Sequence, residues 1–233
     1  MKFRPTILLL PLLLALAAPL RAAGPYLRGF DPMPVLPPPP APHDAEDVAD
    51  RDSAFQVYSA RTPAEVAEAK REHKVTIGLF AAAIGPDFQP GRWPLLEALF
   101  KDVEAESKKM ADSDKNVWRR LRPNVAEPAR FVHPSDPETS FSYPSAHATR
   151  ATALALVLAE LFPARRAQIL QEGRDIGWIR VKAGGHTPLD IYAGRTLGLA
   201  IARSLLANPA FQSDLAAVKA EVSAQKTALP TGS

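Results

Sequence analysis

FSYPSAHATRATALAL, residues 141–156, decides how the rest of this chain is read. From Ala146 onward Ala and Leu dominate, both strong helix formers, and no Gly or Pro interrupts the run before Pro163. Pro144-Ser145 just ahead of it marks a helix start, because a Ser hydroxyl accepts hydrogen bonds from the free N–H groups of a first turn. The pattern predicts a helix over 145–161, with His147 in its first turn. Taken alone, that histidine is as ordinary as the cap beside it. It gains meaning only if other segments supply partners.

Working outward, two more helices are expected over 164–177 and 188–206, and one more after residue 209. Upstream, helical patterning begins near Asp50, and Thr62-Pro63-Ala64-Glu65 is a good cap for a following helix. The stretches 93–114 and 115–123 read as amphipathic helices, the latter ended by Pro123. Residues 124–144 form a loop dense in Pro, Ser and Asp. Aromatics are few, β-branched runs are scattered, and no internal repeat or strand pair stands out. The class is all-α. At 233 residues there is room for one domain with a substantial core.

The first 23 residues carry Lys2 and Arg4, an apolar stretch over 7–18, and small Ala22 and Ala23. That is the layout of a secretory signal peptide; about 12 apolar residues fall short of the about 20 that a spanning helix needs. Cleavage is expected near Ala23. The whole chain has 28 Lys+Arg against 25 Asp+Glu, and residues 1–23 hold three of the bases and no acid, so 25 of each remain. The mature chain is formally neutral, which removes any charge argument for nucleic-acid binding. With no cysteine, neither a disulfide nor a thiolate metal site can form. Residues 24–49 form an arm whose proline run, 37–40, is incompatible with helix and is either a spacer or a strap. The expected catalytic domain is 50–208, followed by a helix and tail over 209–233.

Three segments bear on chemistry. In KNVWRRLRP, 115–123, Lys115 and Arg122 are two helical turns apart, so both cations are expected on one face. A solvated basic face is the plainer reading of that segment alone. At the second, a helix beginning at Ser145 offers free N–H groups and a dipole to an anion; the Ser145 hydroxyl can donate there and small Ala146 lets an oxyanion approach the backbone. The third, IRVKAGGHTPLDIYAG, 179–194, places Gly184-Gly185 before His186 and opens a helix at Thr187-Pro188. Asp190 follows His186 by four residues, so its carboxylate can hold one imidazole nitrogen and leave the other as a nucleophile. Arg180 adds another guanidinium. Together these are the parts needed to transfer a phosphoryl group without metal: cations, a helix N-terminus, a nucleophilic His and a second His, His147, as acid.

In these motifs the chain resembles the superfamily of type-2 phosphatidic acid phosphatases, bacterial class A nonspecific acid phosphatases and vanadium haloperoxidases. Its signature is K-x6-R-P, P-S-G-H and S-R-x5-H-x3-D, matched here by Lys115-x6-Arg122-Pro123, Pro144-Ser145-Ala146-His147 and Arg180-x5-His186-x3-Asp190. The resemblance implies a compact helical bundle and a covalent phosphohistidine on His186, oriented by Asp190. It also implies His147 as general acid, with phosphate held by Lys115, Arg122, Ser145, Ala146 and Arg180. Two positions depart from the pattern: Ala146 stands for Gly, and Ile179 for the Ser before Arg180. Neither change removes a charged participant, so altered rate or selectivity is expected. His43, His73 and His133 match nothing in the signature; His133, in the long loop, can border the pocket.

The expected activity is hydrolysis of phosphate monoesters of broad range by an exported protein, periplasmic or secreted, with no cofactor and no metal. The partners are small phosphorylated substrates, with neither nucleic acid nor stable membrane insertion of the mature chain; a homo-oligomer is left open. The alternatives are a lipid phosphate or diphosphate phosphatase at a membrane surface, and a vanadate-dependent haloperoxidase. Chain length argues against the last.

Overall fold

The computed structural model describes residues 24–86, 88–132 and 139–228, so the signal-peptide reading of 1–23 and the placement of His133 lie outside the described residues. In chain order its helices are α1 (Ala45–Ser59), α2 (Pro63–Arg71), α3 (Ala81–Ile84), α4 (Pro94–Trp118), α5 (Pro123–Ala126), α6 (Ala146–Leu161), α7 (Arg166–Lys182), α8 (Pro188–Ala207) and α9 (Pro209–Ala228). Short 3-10 turns lie at Met33–Val35, Ile77–Phe80 and Pro163–Arg165, and no strand occurs among the described residues. The fold is all-α. None of the described helices is long and apolar enough to cross a membrane.

Helix α6 is buried around most of its circumference, including His147, Thr149, Leu154 and Leu158, so it must be covered from several sides. Helices α4, α7 and α8 do this. Contact with α8 is backbone to backbone, because α8 presents Gly194 and Gly198. A Cβ at Gly194 would stand 2.5 Å from the Ser145 carbonyl oxygen, and one at Gly198 2.6 Å from that of Thr149. This close crossing brings the N-termini of α6 and α8 together, and the Ser145 N–H donates to the Asp190 carbonyl at 2.9 Å. Gly194→Ala is therefore expected to force α8 off α6, costing about 1–3 kcal/mol of stability and lowering activity with it. Urea denaturation and turnover of one preparation measure both.

Helix α4 carries an i, i+3, i+4 stripe of Leu96, Leu99, Phe100, Val103, Ser107 and Ala111, and the same register ends at buried Asp114 and Lys115. The face that packs the core thus delivers the lysine inward. Phe211, Leu215, Val218 and Val222 of α9 join the main core, as do Tyr26, Leu27 and Leu36 of the arm. The arm is a strap: the Tyr143 hydroxyl donates to the Pro37 carbonyl at 2.8 Å, and Tyr26 donates to Asp214 at 2.6 Å.

Several sequence expectations are corrected. Helix α1 starts at Ala45, inside the stretch assigned to the arm. Helix α4 is one continuous helix to Trp118; Arg119 then turns left-handed (φ 50°), and 119–122 is not helical. Lys115 and Arg122 therefore do not share a helical face. Pro123 opens α5 instead of ending a helix, a position that tolerates its missing N–H. Helix α7 runs on to Lys182, because Gly177 is not a terminator: it gives room to Ala148 of α6, whose Cβ would lie 3.2 Å from an added one. The Thr62 capping box with Glu65 forms as expected.

Candidate active site

The end of α4, the start of α6, the end of α7 and the turn before α8 meet at one cavity of about 890 Å³. Lys115, Arg122, Ala146, His147, Arg180 and His186 line it. Ser145 and Asp190, also fully buried, stand behind that lining. The predicted residues are thus gathered in one place despite the broken helix between Lys115 and Arg122.

His186 leaves α7 through Gly184 (φ 75°), where a Cβ would press on the Tyr58 ring at 3.0 Å. Its Nε2 lies 3.0 Å from Nη1 of Arg122, which also donates to the Gly185 carbonyl at 2.9 Å. A guanidinium only donates, so Nε2 is the lone-pair nitrogen and the proton sits on Nδ1. Nδ1 faces Asp190 Oδ2 at 3.4 Å and the Ser142 hydroxyl at 3.3 Å. Burial, then Arg122, push the His186 imidazolium down to about 3 against the pull of Asp190. The ring is neutral at any ordinary working pH.

Asp190 does more than face His186. Its Oδ2 accepts from the Thr187 N–H at 2.9 Å, closing the capping box of α8, and from the Ser142 hydroxyl. Oδ1 accepts from Nη1 of Arg120 at 3.0 Å. Burial alone would raise this carboxyl, but His186, Arg120 and Ser142 hold it well below the usual carboxylate range. Arg120 in turn reaches Thr187 Oγ1 at 2.9 Å, Asp47 at 2.7 Å and Asp50 at 2.9 Å. Asp50 also accepts the Leu189 N–H at 3.0 Å, pinning α1 to the start of α8. Sequence reasoning missed Arg120, Ser142, Asp47 and Asp50. Arg120 lay inside a segment already singled out, but its partners are some 70 residues away.

Arg122 is clamped from the far side by Ser140, whose carbonyl accepts from Nε at 2.8 Å and whose hydroxyl accepts from Nη2 at 2.9 Å. Lys115 Nζ donates to the carbonyls of Phe141 and, at 3.2 Å, Ser142. Ser145 is the N-cap of α6, its Oγ accepting from the Ala148 N–H at 3.3 Å. His147 has Nδ1 at 3.4 Å from Nη2 of Arg150 and a buried Nε2 that has no hydrogen-bond partner among the described residues. Burial, then Arg180 and Arg150, hold its pKa well below the usual imidazole range. That field opposes the proton which a general acid at this position has to carry. Of the two departures, Ala146 does line the cavity, whereas Ile179 points away from it into a small cluster with Ala69 and Ala183.

The family model of the PAP2 superfamily matches residues 107–212. The non-specific acid phosphatase of Salmonella typhi is 31% identical over 198 residues, covering 80% of this chain and 78% of that protein. The chain belongs to the PAP2 superfamily. The acid phosphatase of Zymomonas mobilis is 29% identical over 208 residues, 86% of this chain and 79% of its own. Within the superfamily the chain thus stands with the acid phosphatases, enzymes of the phosphoric monoester hydrolase class. A transmembrane PAP2 type phosphatidylglycerolphosphate phosphatase from Bacillus subtilis has a TM-score of 0.49 at 19% identity, over 69% of this chain and 85% of that one.

The wall of the phosphatase cavity includes His73 and Lys74, just past α2, next to an acidic group on α2 and α7. There burial, then Glu68, Glu172 and Asp175, push Glu72 up to about 7. A raised carboxyl loses stability as pH climbs from its unfolded value through about 7, and is neutral to stability below both. Glu72→Gln is therefore expected to raise Tm at pH 8 and leave it unchanged at pH 4. Discounted for partial exposure, the gain is on the order of 1 kcal/mol, or about 2–4 °C.

Proposed function

We propose that this phosphatase hydrolyses phosphate monoesters of broad range through a covalent phosphohistidine on Nε2 of His186, without metal, as an exported protein. The observation that carries the reading is the pairing of Nε2 with Arg122 beside Lys115 and Arg180. It presents a neutral nucleophilic lone pair in the same place as three cations.

A phosphate oxygen taking the Nη1 donor of Arg122 leaves the Nε2 lone pair facing phosphorus. Attack forms the N–P bond as the P–O ester bond breaks, and the alkoxide takes a proton from His147. Asp190 offsets the positive charge that develops on the His186 ring. Water then attacks the phosphohistidine, giving its proton back to His147 and returning His186 and inorganic phosphate. The cations stabilise the charge spread over the equatorial oxygens. His147 needs a proton at the start of this cycle, and a bound phosphate dianion raises its pKa against the field described above.

Among the described residues, the lining apart from Val75 and Ala146 is polar or charged, which suits small polar esters better than acyl chains. Export rests on the leader and is tested by finding the cleaved protein outside the cytoplasm. Turnover of a phosphomonoester is expected to survive chelation. Orthovanadate, whose trigonal-bipyramidal adduct resembles the transition state, is expected to compete with substrate. Loss of activity on chelation, restored by one added metal, would overturn the metal-free mechanism; failure of millimolar vanadate to compete would overturn the cradle.

A further inference from the structure

Arg150 stands one helical turn beyond His147 on α6, and its side chain folds back over that turn. Nε donates to the Ala146 carbonyl at 3.1 Å, and Nη1 pairs with Glu104 of α4. The remaining nitrogen, Nη2, is the one 3.4 Å from Nδ1 of His147. Because a guanidinium has donors and no acceptor, this contact is attractive only while Nδ1 is a bare lone pair. A proton on Nδ1 would set N–H against N–H and cation against cation.

We propose that Arg150, tethered by Glu104, is a positioning residue that resists protonation of His147 Nδ1 and so confines turnover to acid pH. The inference rests on His147 as the proton donor, as read above. Both partners line the catalytic cavity, and both are largely buried, so water screens them poorly. Other groups around the ring act in known senses. Arg180 from α7 and His186 from the turn before α8 oppose a second proton, and the Glu72 carbonyl at the end of α2 favours it. From α4, Lys115 adds positive charge to the cavity, while Lys108 is bonded to Asp112. Past α2, Lys74 and His73 line the outer wall. Glu104 is the carboxylate that pairs with Arg150, so it tempers the cation that Nδ1 meets.

Two substitutions then have opposite signs. Arg150→Gln removes the charge and offers an amide oxygen to Nδ1–H; the alkaline limb of kcat/KM for an alkyl phosphate is expected to move up by about one pH unit or more. Glu104→Gln leaves Arg150 uncompensated and is expected to move it down. Arg150→Lys keeps a cationic donor and is expected to leave the limb near that of the parent. General loosening of α6 does not produce opposite shifts. Proton and nitrogen NMR of the full-length variants reads the His147 titration directly, and the same two directions are expected there. An unmoved titration in both variants, or one displaced in the same direction in both, overturns the inference. A titration that moves as expected while the rate limb stays fixed overturns its catalytic half, and with it the reading of His147 as the acid.

Discussion

His186→Ala is expected to abolish turnover on every substrate together with any acid-labile phosphoenzyme, whereas His147→Ala should lose rate according to the leaving group. The first follows from Nε2, the lone-pair nitrogen held at 3.0 Å by Arg122, for which alanine has no substitute. The second follows from what the acid is for. An alkoxide leaves poorly unless protonated, while p-nitrophenolate is a weak base and leaves readily. General acid catalysis is worth about 10²–10⁴-fold, so His147→Ala should lose about that much on an alkyl phosphate and far less on p-nitrophenyl phosphate. Rapid-quench labelling of both variants with both substrates measures each step. Equal losses on the two substrates, or a phosphoenzyme persisting in His186→Ala, would show the roles to be wrongly assigned. Since the His186 imidazolium is pushed down to about 3, the nucleophile itself should fail only below that pH.

Arg120→Gln is expected to be strongly destabilising. It would leave Asp190, Asp47 and Asp50 close together in a buried site without their shared cation. Removing one partner of such a cluster costs about 3–5 kcal/mol, a large part of an ordinary domain's stability. Arg120→Lys should not rescue it, because one planar fork serves four acceptors and an ammonium cannot. Guanidinium denaturation of both variants at pH 5 measures the loss; a change below about 1 kcal/mol would mean the charges are solvated. The pH sign also follows. Asp47 and Asp190 are held below the usual carboxylate range, so the stability they contribute is present above that range and disappears only as pH falls through their lowered values. The network is suited to a protein working in acid.

How much of this was legible in the sequence depends on the distance over which each feature is set. The apolar run after Ser145, the Thr62-to-Glu65 box and the His186-to-Asp190 spacing are local. Each is fixed by helix geometry within four residues or by residue type along one run, and a chain written in order displays such relations directly. The all-α class followed from such relations, whereas Lys115, Arg122, His147, Arg180 and His186 were assembled from three separate segments and the resemblance of their motifs, and Glu104, Ser140 and Arg150, which also line the cavity, were not foreseen. Gly177 misled because glycine marks a helix end by local rules, while here it accommodates Ala148 from another helix.

Local sequence accounts for the starts of α6 and α8, for the caps at Thr62, Ser145 and Thr187, and for the charged side chains on hand. Tertiary structure alone decided where the helix carrying Lys115 stops, and which partners Arg120, Ser142 and Arg150 take. The reason is the close crossing of α6 and α8 over Gly194 and Gly198, which brings the two N-termini together and with them Ser145 and Asp190. Once Asp190 is buried there beside Asp47 and Asp50 of α1, a cation must be delivered to it, and the chain leaves the helical path at Arg119 just before Arg120 turns inward. Burial of charge is a property of the assembled fold, and no spacing along the chain encodes it.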